Sequence, residues 1–377
     1  MFAELRVLEL ASVLAGPSVG QFFAELGAEV IKIENPKTGG DVTRGWKTQG
    51  EKTDDRSAYF CSCNWGKKSV ALDLTQKNDL ELVKKLSMKS DIIIASYKPG
   101  DAEKLGVTYE QLRTNNDGLI YGQITGYGSD DDRVGYDAVI QGEAGFMDLN
   151  GDIDGPPIKM PVALIDILAA HQLKEGLLLA LLKKERNKEG SFVEVSLIQT
   201  AIASLANQAT NWLVGNQLPV RQGSSHPNIA PYGDSFLTKD EKRILLAVGS
   251  DRQFEDLMRI IGIDSQVLVE FGTNQQRVSR RMELNKILKE RISQMDSPGL
   301  IQNLNSKKIP AGFIQNLKEV FELPQAKEIL IEQMGVRGVK TFIARSSGPG
   351  LKDIGLLPPP RMGEHTEEIM QRMKNSD

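Results

Sequence analysis

The sequence predicts an α/β protein, with a larger domain built on a parallel sheet and a smaller second unit after it. Three observations carry that prediction. Strand and helix periodicities alternate through the first third of the chain. Residues 166–186 read as one long apolar helix. A stretch rich in Gly, Pro, Ser and Asn over 215–231 then separates this region from a further strand and helices. With 377 residues, 40% hydrophobic and 25% charged, the chain resembles an ordinary soluble globular protein long enough for two domains.

The elements follow in order. Residues 5–10 form a strand, Gly16-Pro17 opens a helix that runs to Ala24, Gly27 closes it, and 29–34 is the next strand. Such a βαβ unit implies parallel strands with a right-handed crossover. The polar, glycine-bearing region 36–56 reads as a long surface loop. Strands are expected at 69–72, 91–95 and 119–124, with a helix at 80–88. Residues 136–147 look helical, and the 166–186 helix ends in a basic turn that suits its dipole. A strand at 192–196 leads into a helix at 197–214. Past the linker come a strand at 244–248, helices at 253–261 and 275–295, a second linker-like stretch at 348–360, and a short helix at 364–373. The domains are assigned as 1–214, completed by 345–377, then a linker 215–232, a small domain 233–325 and a return linker 326–344.

A formal net charge of −4 on scattered lysines, arginines and acids offers no basic field to nucleic acid, so anions must be captured locally. The start Met1-Phe2-Ala3-Glu4-Leu5-Arg6 has neither a basic leader nor a signal core. No run reaches the ~18 apolar residues of a membrane span, so a cytoplasmic protein is expected. Cys61 and Cys63 stand two apart, which on a strand puts both on one face, poor geometry for a disulfide. They read as reduced packing residues, and no histidine lies near enough in sequence to suggest a metal site.

Asp166 most needs explaining. The run Met160-Pro161-Val162-Ala163-Leu164-Ile165 precedes it and Ile167-Leu168-Ala169-Ala170 follows, surroundings that penalise an ionised carboxylate unless partners offset the burial. Two readings stand at this level: a helix N-cap, or a nucleophile held ready for chemistry. Ala169, three residues on, cannot close a capping box, which takes weight from the first.

A βαβ start with Glu34 ending its second strand suggests a dinucleotide fold with that acid on a ribose. The first turn, Ala15-Gly16-Pro17-Ser18-Val19-Gly20, lacks G-x-G-x-x-G and argues against a nicotinamide enzyme. Gly16-Pro17 instead shapes a tight helix entry whose free amides can face an anion. Ser96-Tyr97-Lys98-Pro99-Gly100 follows a strand, at the end where open α/β sheets bind ligands, although a plain surface turn reads the same. Lys104, with Lys67 and Lys68, can supply phosphate contacts or simply be solvated. In Gly135-Tyr136-Asp137, Tyr136 can donate to a developing charge while Asp137 caps its helix; a packed tyrosine and a cap explain the triplet equally. His171, His226 and His365 are too scattered for a Ser-His-Asp order or a metal spacing.

Taken together, these pieces resemble the family III CoA-transferases, the group that includes formyl-CoA transferase and carnitine CoA-transferase. The likeness rests on Ala15-Gly16-Pro17 with Leu26-Gly27-Ala28-Glu29-Val30-Ile31-Lys32-Ile33-Glu34, and on Asn64-Trp65-Gly66-Lys67-Lys68-Ser69 with Leu72-Asp73-Leu74. It continues through Lys98-Pro99-Gly100 with Leu105-Gly106, Gly126-Tyr127-Gly128, Gly135-Tyr136-Asp137, Ala230-Pro231-Tyr232, Ile309-Pro310-Ala311-Gly312 and Gly363-Glu364-His365-Thr366. Their order and spacing, spread over nearly the whole chain, carry the resemblance.

The resemblance implies a Rossmann-like large domain, a smaller α+β domain, and a ring-shaped subunit in an interlocked homodimer. It implies that Asp166 is the nucleophile, forming first a mixed anhydride and then an aspartyl-CoA thioester. Coenzyme A is implied as substrate, exchanged between acyl-CoA and small carboxylic acids without ATP or metal. The carry-over places CoA contacts at Val13, Ala15, Leu72, Tyr97, Lys98 and Lys104. Backbone amides near Ala15-Gly16, with Tyr136, are the candidate oxyanion donors. The same fold hosts α-methylacyl-CoA racemases, which use a histidine where this chain has Tyr136, a poor neutral-pH base with an unperturbed pKa near ~10. Racemisation is thus the runner-up, and a catalytically silent CoA-binding protein the third reading. Two departures stand out: Ser96 replaces an asparagine, and Lys104 replaces a position often held by arginine, a point charge in place of a fork. The glycine-rich loop of the oxalate-using formyl-CoA transferase is also missing where Thr238-Lys239-Asp240-Glu241 stands, so oxalate is not the expected acid.

Overall fold

The computed structural model of the protein describes residues 2–263, 265–345 and 355–375. The chain divides into two compact units: Met1–Ala144, Met160–Ala206 and Pro324–Asp377 in the larger, Gly145–Lys159 and Asn207–Leu323 in the smaller.

In the larger unit the chain forms β1 (Arg6–Leu10), α1 (Ala15–Glu25), β2 (Glu29–Glu34), β3 (Lys67–Ala71), α2 (Lys77–Met88), β4 (Ile92–Ala95), β5 (Ile120–Thr125), α3 (Asp137–Glu143), α4 (Leu164–Asn187) and β6 (Ser191–Ser196). The six strands make one all-parallel, Rossmann-like sheet in the order β3-β2-β1-β4-β5-β6. Ile92-Ile93-Ile94-Ala95 is fully buried along β4, as an unbroken apolar run must be when both faces of a parallel sheet are covered. Leu8, Ile31, Val70 and Ile93 share one core with Val83 and Leu86 of α2. Strand order reverses between β1 and β4, and open sheets of this type take ligands in the crevice outside the carboxyl ends at that switch point.

β3 is the sheet edge, and a distant segment covers it. The His365 amide donates to the Ser69 carbonyl at 2.9 Å, and the Ala71 amide donates to Thr366 Oγ1 at 3.0 Å. The helix Thr366–Lys374 then places Ile369 and Met373 in the core. Unpaired edge groups are thereby satisfied.

The smaller unit has its own core around the antiparallel strands β7 (Tyr232–Leu237), β8 (Arg243–Ala247) and β9 (Ala311–Phe313), with Phe236, Ile244 and Leu246 packed against Phe254 and Leu288 of its helices.

Several sequence expectations change. The expected 197–214 helix breaks into Leu197–Ala203 and Ala206–Leu213, with Ala206 at φ +49°. The 136–147 helix stops at Glu143 and resumes at Phe146 after Gly145 at φ +83°. The 275–295 helix divides into Asn274–Ser279 and Arg281–Ile292. The stretch 326–344, expected as a linker, folds into the antiparallel hairpin β10 (Leu330–Gln333) and β11 (Val336–Val339). Two short 3-10 turns, Pro36–Thr38 and Val42–Gly45, order the 36–56 loop. Cys61 and Cys63 occupy no strand: Cys61 ends the short helix Ala58–Cys61, Cys63 is buried two residues beyond, and both are free thiols. The second linker-like stretch, 348–360, lies outside the described residues as far as 354.

Candidate active site

The carboxyl ends of β1, β4 and β5 surround a cleft of about 280 Å³. Across the switch point, the Ser12 amide after β1 donates to Ser96 Oγ after β4 at 3.2 Å. Val13, Ala15, Tyr97, Lys98, Tyr136 and Asp166 all line the cleft, so six residues that the sequence scatters over 150 positions and more are brought together. Two other expected contacts are not among them. Leu72 is only 2% exposed and packs into the sheet core, because it continues the inward-facing side of β3. Lys104 stands in solvent on its own short helix, paired with Asp101 at 3.3 Å.

Asp166 is the third residue of α4, whose N-cap is Ala163 with no side-chain cap, so the N-cap reading of the acid is corrected. As a residue Asp166 is 7% exposed, and its carboxylate, which accepts no hydrogen bond from the described residues, keeps its oxygens at the cleft surface. Burial first, and then the charge of Asp137, push its pKa up to about 7. The capping is done from α3 instead. Asp137 Oδ2 accepts the Ile165 amide at 2.8 Å while Oδ1 accepts Gln141 Nε2 at 2.7 Å, and Gln141 Oε1 accepts the Met160 amide at 2.8 Å. Asp137 was expected to cap its own helix; by serving the next one it leaves both Asp166 oxygens free. The i,i+4 spacing of Asp137 and Gln141 was the available sign that they act on one face.

Tyr136 is half exposed at the start of α3. It is set by a close crossing of the chain: a Cβ on Gly135 would lie 2.5 Å from the Gly126 Cα. Sequence reading missed Tyr59. Burial, then the charges of Asp166, Cys63 and Asp137, raise its phenol to about 12, so it remains a donor in the electrostatic neighbourhood of the acid.

α1 has no side-chain cap, and Leu14, Ala15 and Gly16 at its start line the cleft. Its first-turn amides are the orphan donors of any helix start, carrying partial positive charge. Beneath them lies a buried ionic cluster. Glu9 takes Lys32 Nζ at 3.0 Å and Lys67 Nζ at 2.8 Å, and Glu34 is held by both nitrogens of the Arg44 fork, at 2.8 and 2.6 Å. Glu34 therefore cannot serve a ribose. Neither Lys67, fully buried, nor Lys68, paired with Glu29 and Glu368, reaches a phosphate.

A larger cavity of about 580 Å³ in the smaller unit differs: its acids Asp152 and Asp154 are exposed, and its buried one, Asp234, is bonded to Ser225, Tyr232 and Asn285. No group of three or more His, Cys, Asp or Glu among the described residues is placed to hold a metal. The sequence profile described as CoA-transferase family III matches residues 2–366. The chain is 35% identical to the succinate–glutarate CoA-transferase of Agrobacterium fabrum, over 98% of this chain and 95% of that one. It is 31% identical to the human succinyl-CoA:glutarate CoA-transferase, over 99% and 86% of the two. A crystal structure of a CAIB/BAIF family protein from Brucella suis superposes with a TM-score of 0.84 at 38% identity, covering 98% of each chain. With the fold, the cleft and these likenesses in agreement, the chain belongs to CoA-transferase family III and is a CoA-transferase.

Proposed function

We propose that the protein moves CoA from an acyl-CoA to a free carboxylic acid through covalent intermediates on Asp166. One observation carries the reading: a buried carboxylate without a hydrogen bond, at a cleft lined also by the uncapped start of a helix. A desolvated, unbonded carboxylate is a stronger nucleophile than a solvated one, and amides already in place favour the oxyanion that forms when it attacks.

In the proposed sequence an Asp166 oxygen adds to the thioester carbonyl, the C–S bond breaks, and CoA leaves as thiolate from a mixed anhydride. The thiolate attacks the aspartyl carbonyl, the donor acid departs as carboxylate, and Asp166 carries CoA as a thioester. An acceptor carboxylate attacks that thioester, and the released thiolate takes the acceptor acyl group, restoring Asp166. No proton is consumed and no water enters. Val13, Ala15, Tyr97 and Lys98 are proposed to hold CoA, and Tyr136 to donate to the oxyanion. The relatives named for succinate and glutarate make succinyl-CoA and glutarate the first pair to test, and Lys98 and Arg133 are the cations lining the cleft for a second carboxylate.

Mass spectrometry of the protein incubated with succinyl-CoA and other thioesters tests this. A CoA-sized adduct on the peptide containing Asp166, lost in Asp166→Asn together with transfer, is the expected result. Transfer at the wild-type rate by Asp166→Asn would refute the role. Deuterium entering the α-carbon of an acyl-CoA without exchange would point to racemisation instead.

A further inference from the structure

The turn joining β1 to α1 contains a residue in an unfavourable conformation. Val13 has φ +73°, in the left-handed region that a β-branched side chain avoids. Such a conformation persists only where surrounding structure imposes it. The contacts that impose it come from residues remote in sequence. Asp41 Oδ1 accepts the Val13 amide at 3.3 Å, and the Val13 carbonyl accepts Cys63 Sγ at 3.4 Å. Two residues earlier, the Ala11 carbonyl accepts Lys32 Nζ at 2.7 Å. Lys32 and Asp41 are themselves an ion pair at 2.9 Å, both side chains buried, so one pair grips the turn at a carbonyl before Val13 and at its amide. Thr43 fixes Asp41 further, through its amide at 3.0 Å and its hydroxyl at 2.8 Å.

We propose that the buried Lys32–Asp41 pair is a positioning device, holding the 11–14 turn in its left-handed form so that the first-turn amides of α1 stay aimed at the carbonyl that reacts with Asp166. This rests on the covalent reading above and extends it to residues that touch no substrate. An oxyanion donor displaced by a turn that relaxes loses roughly 10²–10³ in rate. Ion pairing alone would not need Val13, so the strained residue is what separates this role from a merely structural one.

The test compares two variants in which the pair is replaced without leaving a lone buried charge. Lys32→Met with Asp41→Asn keeps an oxygen for the Val13 amide, whereas Lys32→Met with Asp41→Leu removes it. Single-turnover formation of the Asp166–CoA adduct is measured in both, with the KM for the acyl-CoA and a thermal melt. At saturating acyl-CoA the Asn variant is expected to form adduct at least thirtyfold faster than the Leu variant, a loss in the chemical step beyond any rise in KM that the displaced Val13 and Ala15 bring. Adding Val13→Gly, which lets the backbone adopt the turn unaided, is expected to raise the Leu variant's rate at least tenfold, or to restore folding if that variant does not fold. Equal rates in the two double variants overturn the proposal, as does a triple variant neither faster nor better folded than K32M/D41L. A wild-type enzyme that forms no Asp166 adduct overturns the covalent reading and this one with it. An adduct in the wild type with equal rates in the double variants overturns this one alone.

Discussion

A nucleophile kept free of hydrogen bonds weakens the fold that carries it. With its pKa raised to about 7 by burial and by Asp137, Asp166 favours the folded state while protonated, and that contribution is lost as pH rises from the unfolded value near 4 through 7. At 1.36 kcal/mol per tenfold, the cost at pH 8 is at most about 4 kcal/mol. Asp166→Asn should therefore melt several degrees above wild type at pH 8 and close to it at pH 4, by scanning calorimetry. A mutant less stable at pH 8 would show the charge to be well accommodated. Activity should carry the same ionisation: kcat/KM rises with pH and levels off above about 7, the acid attacking only when ionised. Asp137→Asn retains an oxygen for the Ile165 amide and removes a neighbouring charge, so that bend should move to lower pH; a bend that stays would leave burial as the whole cause. Sequence singled out Asp166 because an acid interrupts an apolar run. It could not reveal what Asp137 does, because the amide it caps lies 28 residues away.

Elements bring these residues to their places, and the crossing of Gly126 and Gly135 is a backbone-on-backbone fit that shapes the cleft. Gly135→Ala would drive a methyl against the Gly126 backbone, so the loop bearing Tyr136 must shift. We expect a loss of about 1–3 kcal/mol by chemical denaturation. We also expect slower transfer, and an alanine variant matching wild type in both would show the loop to be slack. Strand β4 was legible because a strand buried on both faces spells a continuous apolar run, Ile92-Ile93-Ile94-Ala95, and β1, β2 and β5 kept enough apolar residues to read as strands although Glu9, Lys32 and Gln123 interrupt them. The breaks at Gly145 and Ala206 were not legible, since neighbouring residues there keep helical propensity and the interruption is set by packing. Hairpin β10–β11 escaped notice for a related reason: its strands are four residues each and mostly half-exposed, so little alternation marks them.

At the scale of the molecule, each unit buries a core of its own. In the smaller unit Trp212, Leu213, Val214, Leu218 and Val220 remain 50–79% exposed, a concentration of apolar surface that marks an association site in soluble proteins. We propose that a second copy of the chain covers it, in the homodimer that the sequence resemblance implied. Light scattering at micromolar concentration should then give twice the 41.6 kDa of one chain, and a monomer would remove the proposal. The closure of β3 by His365 and Thr366 has a bearing on biosynthesis. A nascent chain that has made Ser69 must add 296 more residues before the imidazole and amide of His365 can dock on that strand. Until then the border of the sheet stays open to whatever strand diffuses past. Truncation before residue 363 would make that interval permanent, and such a protein should be recovered chiefly as aggregate.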